Sequence, residues 1–263
     1  MIQYGFVTTL VLTLLFALAG FIDSIAGGGG LVSLTSLYAA GLPPVNAVST
    51  NKFSMTFGTL FATINYAREK KIVWRLVLPS ILFALAGSSI GAQLALRFAD
   101  TLLRYMLLFV LPVLTFLTLK KKEGKGKGMI KVNENPLSFD ISTLTYVVSA
   151  VCSFAIGIYD GFFGPGTGTF FTILFSFMGL PLIYSAGTTK VLNLTSNIAA
   201  FTTFLINGTI VFSIGVSCAV SSIIGNLLGS AYALKRGGKA IRKVLVVVII
   251  LLYIKILAEF FIS

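Results

Sequence analysis

The sequence predicts an all-α fold: a polytopic helical membrane protein made of two inverted-topology repeats, with about eight full spans and two short broken or re-entrant helices. Three observations carry this prediction. Of the 263 residues, 56% are hydrophobic and only 11% charged, whereas soluble domains carry about 25% charged residues. Several apolar runs reach the roughly 20 residues that cross a bilayer core as helix. Landmark polar and glycine residues also recur in order through both halves of the chain. An outer-membrane barrel would show short alternating segments instead, and that pattern is absent.

The elements follow from the apolar runs and what interrupts them. The first span is expected at Gln3–Phe21. It has no Lys or Arg before it, and a matching span begins again near Phe139, so it reads as a retained span, not a secretory signal. A short helix, Gly30–Ala40, follows the run GFIDSIAGGGG. Longer segments are expected at Pro44–Ala67, Ile72–Phe98 and Leu102–Leu119, with Trp74 as an interface anchor. The stretch KKKEGKGKGMIKVNENP then reads as a solvated linker from its Lys and Gly content. Five segments repeat the layout: Phe139–Tyr159, Gly168–Met178, Leu182–Ile206, Ile210–Leu234 and Ala240–Ile262. The chain thus divides into repeat 1 (residues 1–119), a linker (120–138) and repeat 2 (139–263).

The repeat is carried by residues that a lipid-facing helix does not need. Gly20, Asp23, Gly27 and Gly29 match Gly157, Asp160, Gly164 and Gly166 at an offset of 137. Beyond one inserted residue the offset is 138: Gly41-Leu42-Pro43 matches Gly179-Leu180-Pro181, Thr50 matches Thr188 and Lys52 matches Lys190. Gly87, Gly91 and Arg104 match Gly225, Gly229 and Arg242 at that same offset.

The net charge of +12 would suggest nucleic acid on a soluble protein. Here the Lys and Arg sit mostly in short loops, where the positive-inside rule accounts for them and no nucleic-acid partner is expected. Placing Lys120–Lys131 in the cytoplasm puts Arg68–Lys71 and Lys235–Lys243 inside as well, Asn207-Gly208 outside, and both termini outside. Equivalent loops then face opposite sides, the construction of many secondary transporters. Arg97 and Arg104 fall on the outer side, against the rule.

Each short second helix spans about 16 Å, half the hydrocarbon thickness. Irregular backbone at that depth is tolerated only inside protein or along a wet cavity. Lys52 and Lys190 lie roughly 13 Å into their helices, near the midplane. A lone ammonium there costs at least about 2.5–3.5 kcal/mol. Two readings follow: the lysines pair with Asp23 or Asp160 to hold the bundle, or they attract an anion. Thr50, Asn51, Thr188, Thr189 and Asn193 offer donors beside them. Gly28, Gly29, Gly30, Gly166, Thr167 and Gly168 sit where free amides at a half-helix N-terminus favour negative charge. For Gly87, Gly91, Gly225 and Gly229, in two GxxxG pairs, close helix packing is the expected role. Asp23 and Asp160 are open between proton carriers, partners of the lysines and caps of the broken helices. No metal, cofactor or catalytic constellation is expected. There is no His and no CxxC, and the chain's two cysteines, Cys152 and Cys218, both lie in apolar runs.

GFIDSIAGGGG, GLPPVNAVSTNK, DGFFGPGTG and TKVLNLTSN, in that order and spacing, resemble the TauE/SafE (sulfite exporter) family across essentially the whole chain. The resemblance implies a transporter of sulfite, a sulfonate or another small organosulfur or carboxylate anion across the cytoplasmic membrane. A cysteine-borne thiosulfate relay is not expected. The alternatives are an anion channel and a non-transporting membrane scaffold or assembly factor. Oligomeric state is not legible in the sequence.

Overall fold

A computed structural model describes residues 5–119, 130–132, 139–248 and 250, with side chains except those of 99–119, 131–132 and 139. In order, the chain forms α1 (Phe6–Ala26), α2 (Gly30–Ala39), α3 (Pro44–Arg68), α4 (Trp74–Leu119), β1 (Ile130–Val132), β2 (Phe139–Ile141), α5 (Thr143–Phe162), α6 (Thr167–Met178), α7 (Leu182–Ile206) and α8 (Phe212–Arg236). A further helix, α9, covers 238–248. The expected starts at Gln3 and Met1, the end at Ile262 and the basic run Lys120–Met129 lie outside the described residues.

Two boundaries differ from expectation. The segments expected at Ile72–Phe98 and Leu102–Leu119 follow one another in α4, with a kink of non-helical backbone at Phe98 (φ −134°, ψ 21°), where the first was expected to end. Phe139 does not open a helix: Phe139–Ile141 pairs antiparallel with Ile130–Val132, so the linker holds a small hairpin, and α5 starts at Thr143 behind its Ser142 cap. α1 and α5 run past their aspartates to Ala26 and Phe162. The aspartates are neutralised there, as described below, so they do not end the helices.

Among the described residues, α1, Trp74–Phe98 of α4, α5 and α8 are long and apolar enough to cross a membrane. They display large apolar side chains outward, such as Leu10 and Leu14 on α1 and Val220 and Leu228 on α8. α3 and α7 match them in length, 25 residues each, about 37 Å of helix, but carry too many polar residues to face lipid. They lie inside, with Ser49, Thr50, Lys52, Thr59, Thr188, Lys190 and Asn197 all buried. The protein is thus apolar outside and polar at its centre.

Packing recurs in pairs at the offset of the sequence repeat. α1 packs along α8, and α5 along α4. α3 packs on α8, and α7 on α4, while α3 and α7 meet each other. At Gly87 and Gly91 an added Cβ would strike the backbone of Phe154 and Ile158; at Gly225 and Gly229 it would strike that of Ala17 and Phe21. Lipid tails are as apolar as leucine, so such close backbone approach is what holds neighbouring spans together. Val211 N–H donates to Thr50 Oγ1, and Val73 N–H to Thr188 Oγ1, both at 3.0 Å.

Candidate functional site

The two glycine runs are chain breaks, and they meet. α1 ends at Gly27, whose N–H returns to the Asp23 carbonyl at 2.7 Å and whose φ of 80° suits glycine. α5 ends at Phe163, and Gly164 follows with φ 96°. The new helices start at Gly30 and Thr167, capped by Gly29 and Gly166 with no side-chain cap. The aspartates therefore do not cap the half-helices; each lies in the last turn of the preceding helix. An added Cβ on Gly27 would strike Gly168, and one on Gly30 would come within 3.1 Å of Pro165 Cα. The C-terminus of α1 thus abuts the N-terminus of α6, with Thr169 Oγ1 donating to Ala26 O at 2.9 Å. The C-terminus of α5 abuts the N-terminus of α2. In both places a negative helix end meets a positive one.

The lysines sit beside these breaks and pair across the repeats. Lys52 of α3 binds Asp160 of α5 at 2.7 Å, and Lys190 of α7 binds Asp23 of α1 at 2.8 Å. All four side chains are at most 5% exposed. Lys52 Nζ also donates to Asn197 Oδ1 at 2.9 Å, and Ser196 Oγ donates to Asp160 Oδ2 at 2.5 Å. Lys190 Nζ also donates to the Asp23 backbone carbonyl. The carbonyl ends of α1 and α5 carry partial negative charge, so an ammonium at each is favourable twice over, to the carboxylate and to the helix end. Gly164 leaves room for Lys52: a Cβ there would lie 3.0 Å from its Nζ.

The remaining predicted residues divide. Asn51 is buried beside Lys52 in sequence, and among the described residues its Oδ1 has no hydrogen-bond partner. Thr189 Oγ1 receives Thr172 Oγ1 at 3.2 Å. Asn193 is buried next to Lys190 on α7. Gly29 lies against Asp23, while Thr167 Oγ1 donates to Gly164 O at 2.7 Å. Thr50 and Thr188 lie elsewhere: two residues before a lysine is about 200° around a helix, and their hydroxyls accept the backbone N–H groups that lead into α8 and α4. Gly28 points away too, toward Val248 and an apolar groove shared with Ile22, Leu31 and Lys243. Sequence reasoning missed Asn197 and Ser196. The signal was present: Asn193 and Asn197, one turn apart, continue the Lys190 face of α7.

Among the described residues no group of His, Cys, Asp and Glu could hold a metal ion. What the arrangement can do is exchange partners: a buried ammonium held by a carboxylate can take another anion in its place.

A model of the sulfite exporter TauE/SafE family matches residues 12–256. The "Probable membrane transporter protein ORF9" of a Sinorhizobium species is 38% identical, over 92% of this chain and 89% of its own length. The "Probable membrane transporter protein YfcA" of Escherichia coli K12 is 34% identical, over 96% and 92%. A "Probable membrane transporter protein" of Haemophilus influenzae is 32% identical, over 87% and 86%. No solved structure matches.

Proposed function

Since the chain belongs to the sulfite exporter TauE/SafE family and is a multi-pass membrane transporter, we propose that its cargo is a small anion, sulfite or an organosulfur or sulfonate anion. It moves by alternating access at a midplane site between inverted repeats. The observation that carries this reading is the pair of buried Lys–Asp bridges, each joining one repeat to the other beside a broken helix. A buried charge must be compensated at every stage. The aspartate holds the ammonium while no anion is bound, and an incoming sulfonyl oxygen replaces the carboxylate. Because each bridge also ties the repeats together, opening one loosens the tie between them. Asn51, Thr189 and Asn193, with the amides of Gly29, Gly30 and Gly168, supply further donors to the anion's oxygens.

The orientation that accompanies this reading puts the basic linker in the cytoplasm and both termini outside the inner membrane. An interior-negative potential favours exit of an uncoupled anion by about 2.3 kcal/mol per charge per 100 mV, whereas uptake needs a coupling ion, with Asp23 or Asp160 as the candidate proton carrier.

The test is a thermal-shift screen of sulfite and small sulfonates on the purified protein, followed by flux in proteoliposomes. A ligand of the native state raises its melting temperature. Lys52→Ala/Lys190→Ala should abolish flux; normal flux in that double variant sinks the central-cation role. Conduction in planar bilayers far above carrier turnover would make the protein a channel, and absence of any anion binding would favour a scaffold.

A further inference from the structure

The two ion pairs occupy equivalent places in the repeats, yet they are not equally satisfied. Asp160 uses both carboxylate oxygens, Oδ1 for Lys52 and Oδ2 for Ser196. Ser196 is itself held, its carbonyl receiving Ser88 Oγ at 2.5 Å. Asp23 uses only Oδ2, for Lys190; among the described residues its Oδ1 receives no hydrogen bond. The repeat offset shows why. Ser196 corresponds to Gly58, and Asn197 to Thr59. Gly58 has no hydroxyl to offer Asp23. Thr59, fully buried on α3, has an Oγ1 with no partner among the described residues. Thr63, one turn further along α3, donates to the Lys190 backbone carbonyl at 3.2 Å, which places this face of α3 against α7 at Lys190. Asn51 Oδ1, also on α3, is unpartnered as well.

Resting on the proposed anion transport, we infer that the pairs divide the work: Asp23–Lys190 opens, with Asp23 taking a proton as the anion takes Lys190, while Asp160–Lys52 stays closed. The step balances. A proton binds Oδ1 of the Asp23 carboxylate, giving a neutral carboxylic acid. The ammonium of Lys190 keeps all its protons and passes from carboxylate to anion. A neutral ion pair is thereby replaced by another neutral pair plus an uncharged acid, so no uncompensated charge is created in the interior. Protonating Asp23 at Oδ1 displaces no hydrogen bond, whereas protonating Asp160 at Oδ2 would displace that of Ser196. The unpartnered Thr59 hydroxyl then finds a partner in the anion. Among the described residues the ionisable groups around Asp23 are Lys190 from α7 and, within electrostatic range, Lys52 and Tyr66 from α3. α8 brings Tyr232 against Phe21 and carries Cys218, Lys235 and Arg236; α2 carries Tyr38, α6 none, and Lys243 borders the groove at Ile22.

Methanesulfonate, ionised at any usable pH, is the probe. Calorimetry in buffers of differing ionisation heat counts protons taken up with it. Wild type should take up about one proton per anion, with affinity rising as pH falls. Asp23→Asn, a mimic of the protonated acid, should bind with no proton uptake and no pH dependence. Proton uptake that survives in Asp23→Asn overturns the inference while leaving anion transport standing. Absence of methanesulfonate binding to wild type removes both. Wild-type liposomes give a readout independent of any variant's folding. Flux should follow the pH gradient and ignore a valinomycin-set potential; flux that follows the potential alone overturns the inference.

Discussion

Removing the Lys52 ammonium tests the cross-repeat bridge directly. Lys52→Met keeps the length of the side chain but leaves Asp160 charged, buried at 2% exposure and served only by Ser196. It also strips Asn197 Oδ1 of its donor. Breaking a buried pair from one side costs about 3–5 kcal/mol. Asp160→Asn strands the ammonium in the same way and costs a similar amount. If the two effects were independent, the double variant would lose about 6–10 kcal/mol. With both charges gone it should instead lose about 1–2 kcal/mol, the worth of the hydrogen bonds left behind. The assay is unfolding of the purified protein in detergent, followed by loss of helical circular dichroism. At roughly 2–4 °C per kcal/mol for a chain of this size, each single variant should melt on the order of 10 °C below wild type, and the double variant should recover most of the loss. Singles that melt with wild type, or a double variant as unstable as their sum, would refute the claim that this bridge neutralises two buried charges.

Other outcomes follow from the same geometry. Gly91→Ala, whose Cβ would strike the Ile158 carbonyl, should cost about 1–3 kcal/mol, while Gly5→Ala, with nothing within 4 Å, should melt like wild type. Thr50→Val and Thr188→Val should each cost about 1–3 kcal/mol by orphaning the Val211 or Val73 N–H, with methanesulfonate affinity unchanged; a large loss of affinity at full stability would return these hydroxyls to the anion site. Thr59→Asn should supply at Lys190 the amide oxygen that Asn197 supplies at Lys52, raising the melting temperature and slowing flux roughly tenfold if the added bond is worth about 1.5 kcal/mol.

Much of the architecture is legible in the sequence because lipid imposes strict rules. α7 has the bounds its apolar run suggests, Leu182–Ile206, and α3 ends one residue later than read. The glycine runs do break their helices. The ends of α1 and α5 were not legible, since a charged Asp looks like a stop until its Lys is known, and that Lys lies 167 residues away for Asp23. The offset of 137 to 138 pairs like with like, Lys with Lys and Asp with Asp, but contains nothing about which unlike pair touches. The sequence presents Thr50 and Thr188 as donors beside the lysines, and in the structure their hydroxyls accept the Val211 and Val73 N–H groups, because adjacency to a lysine in sequence is not adjacency on a helix face. The hairpin at Ile130–Ile141 was hidden by the Lys- and Gly-rich sequence on its near side.

The crossed bridges also make the two halves of the chain interdependent. Neither half can neutralise itself: residues 1–119 contain Asp23 and Lys52, but the partners of both lie in 139–263. A half expressed alone would enter the bilayer with a stranded acid and a stranded base. Two copies of one half, placed face to face, would satisfy both at once. The bridges thus make each half the counter-charge of the other, even where the two sequences diverge. Gly58 against Ser196 and Thr59 against Asn197 are where that divergence is written.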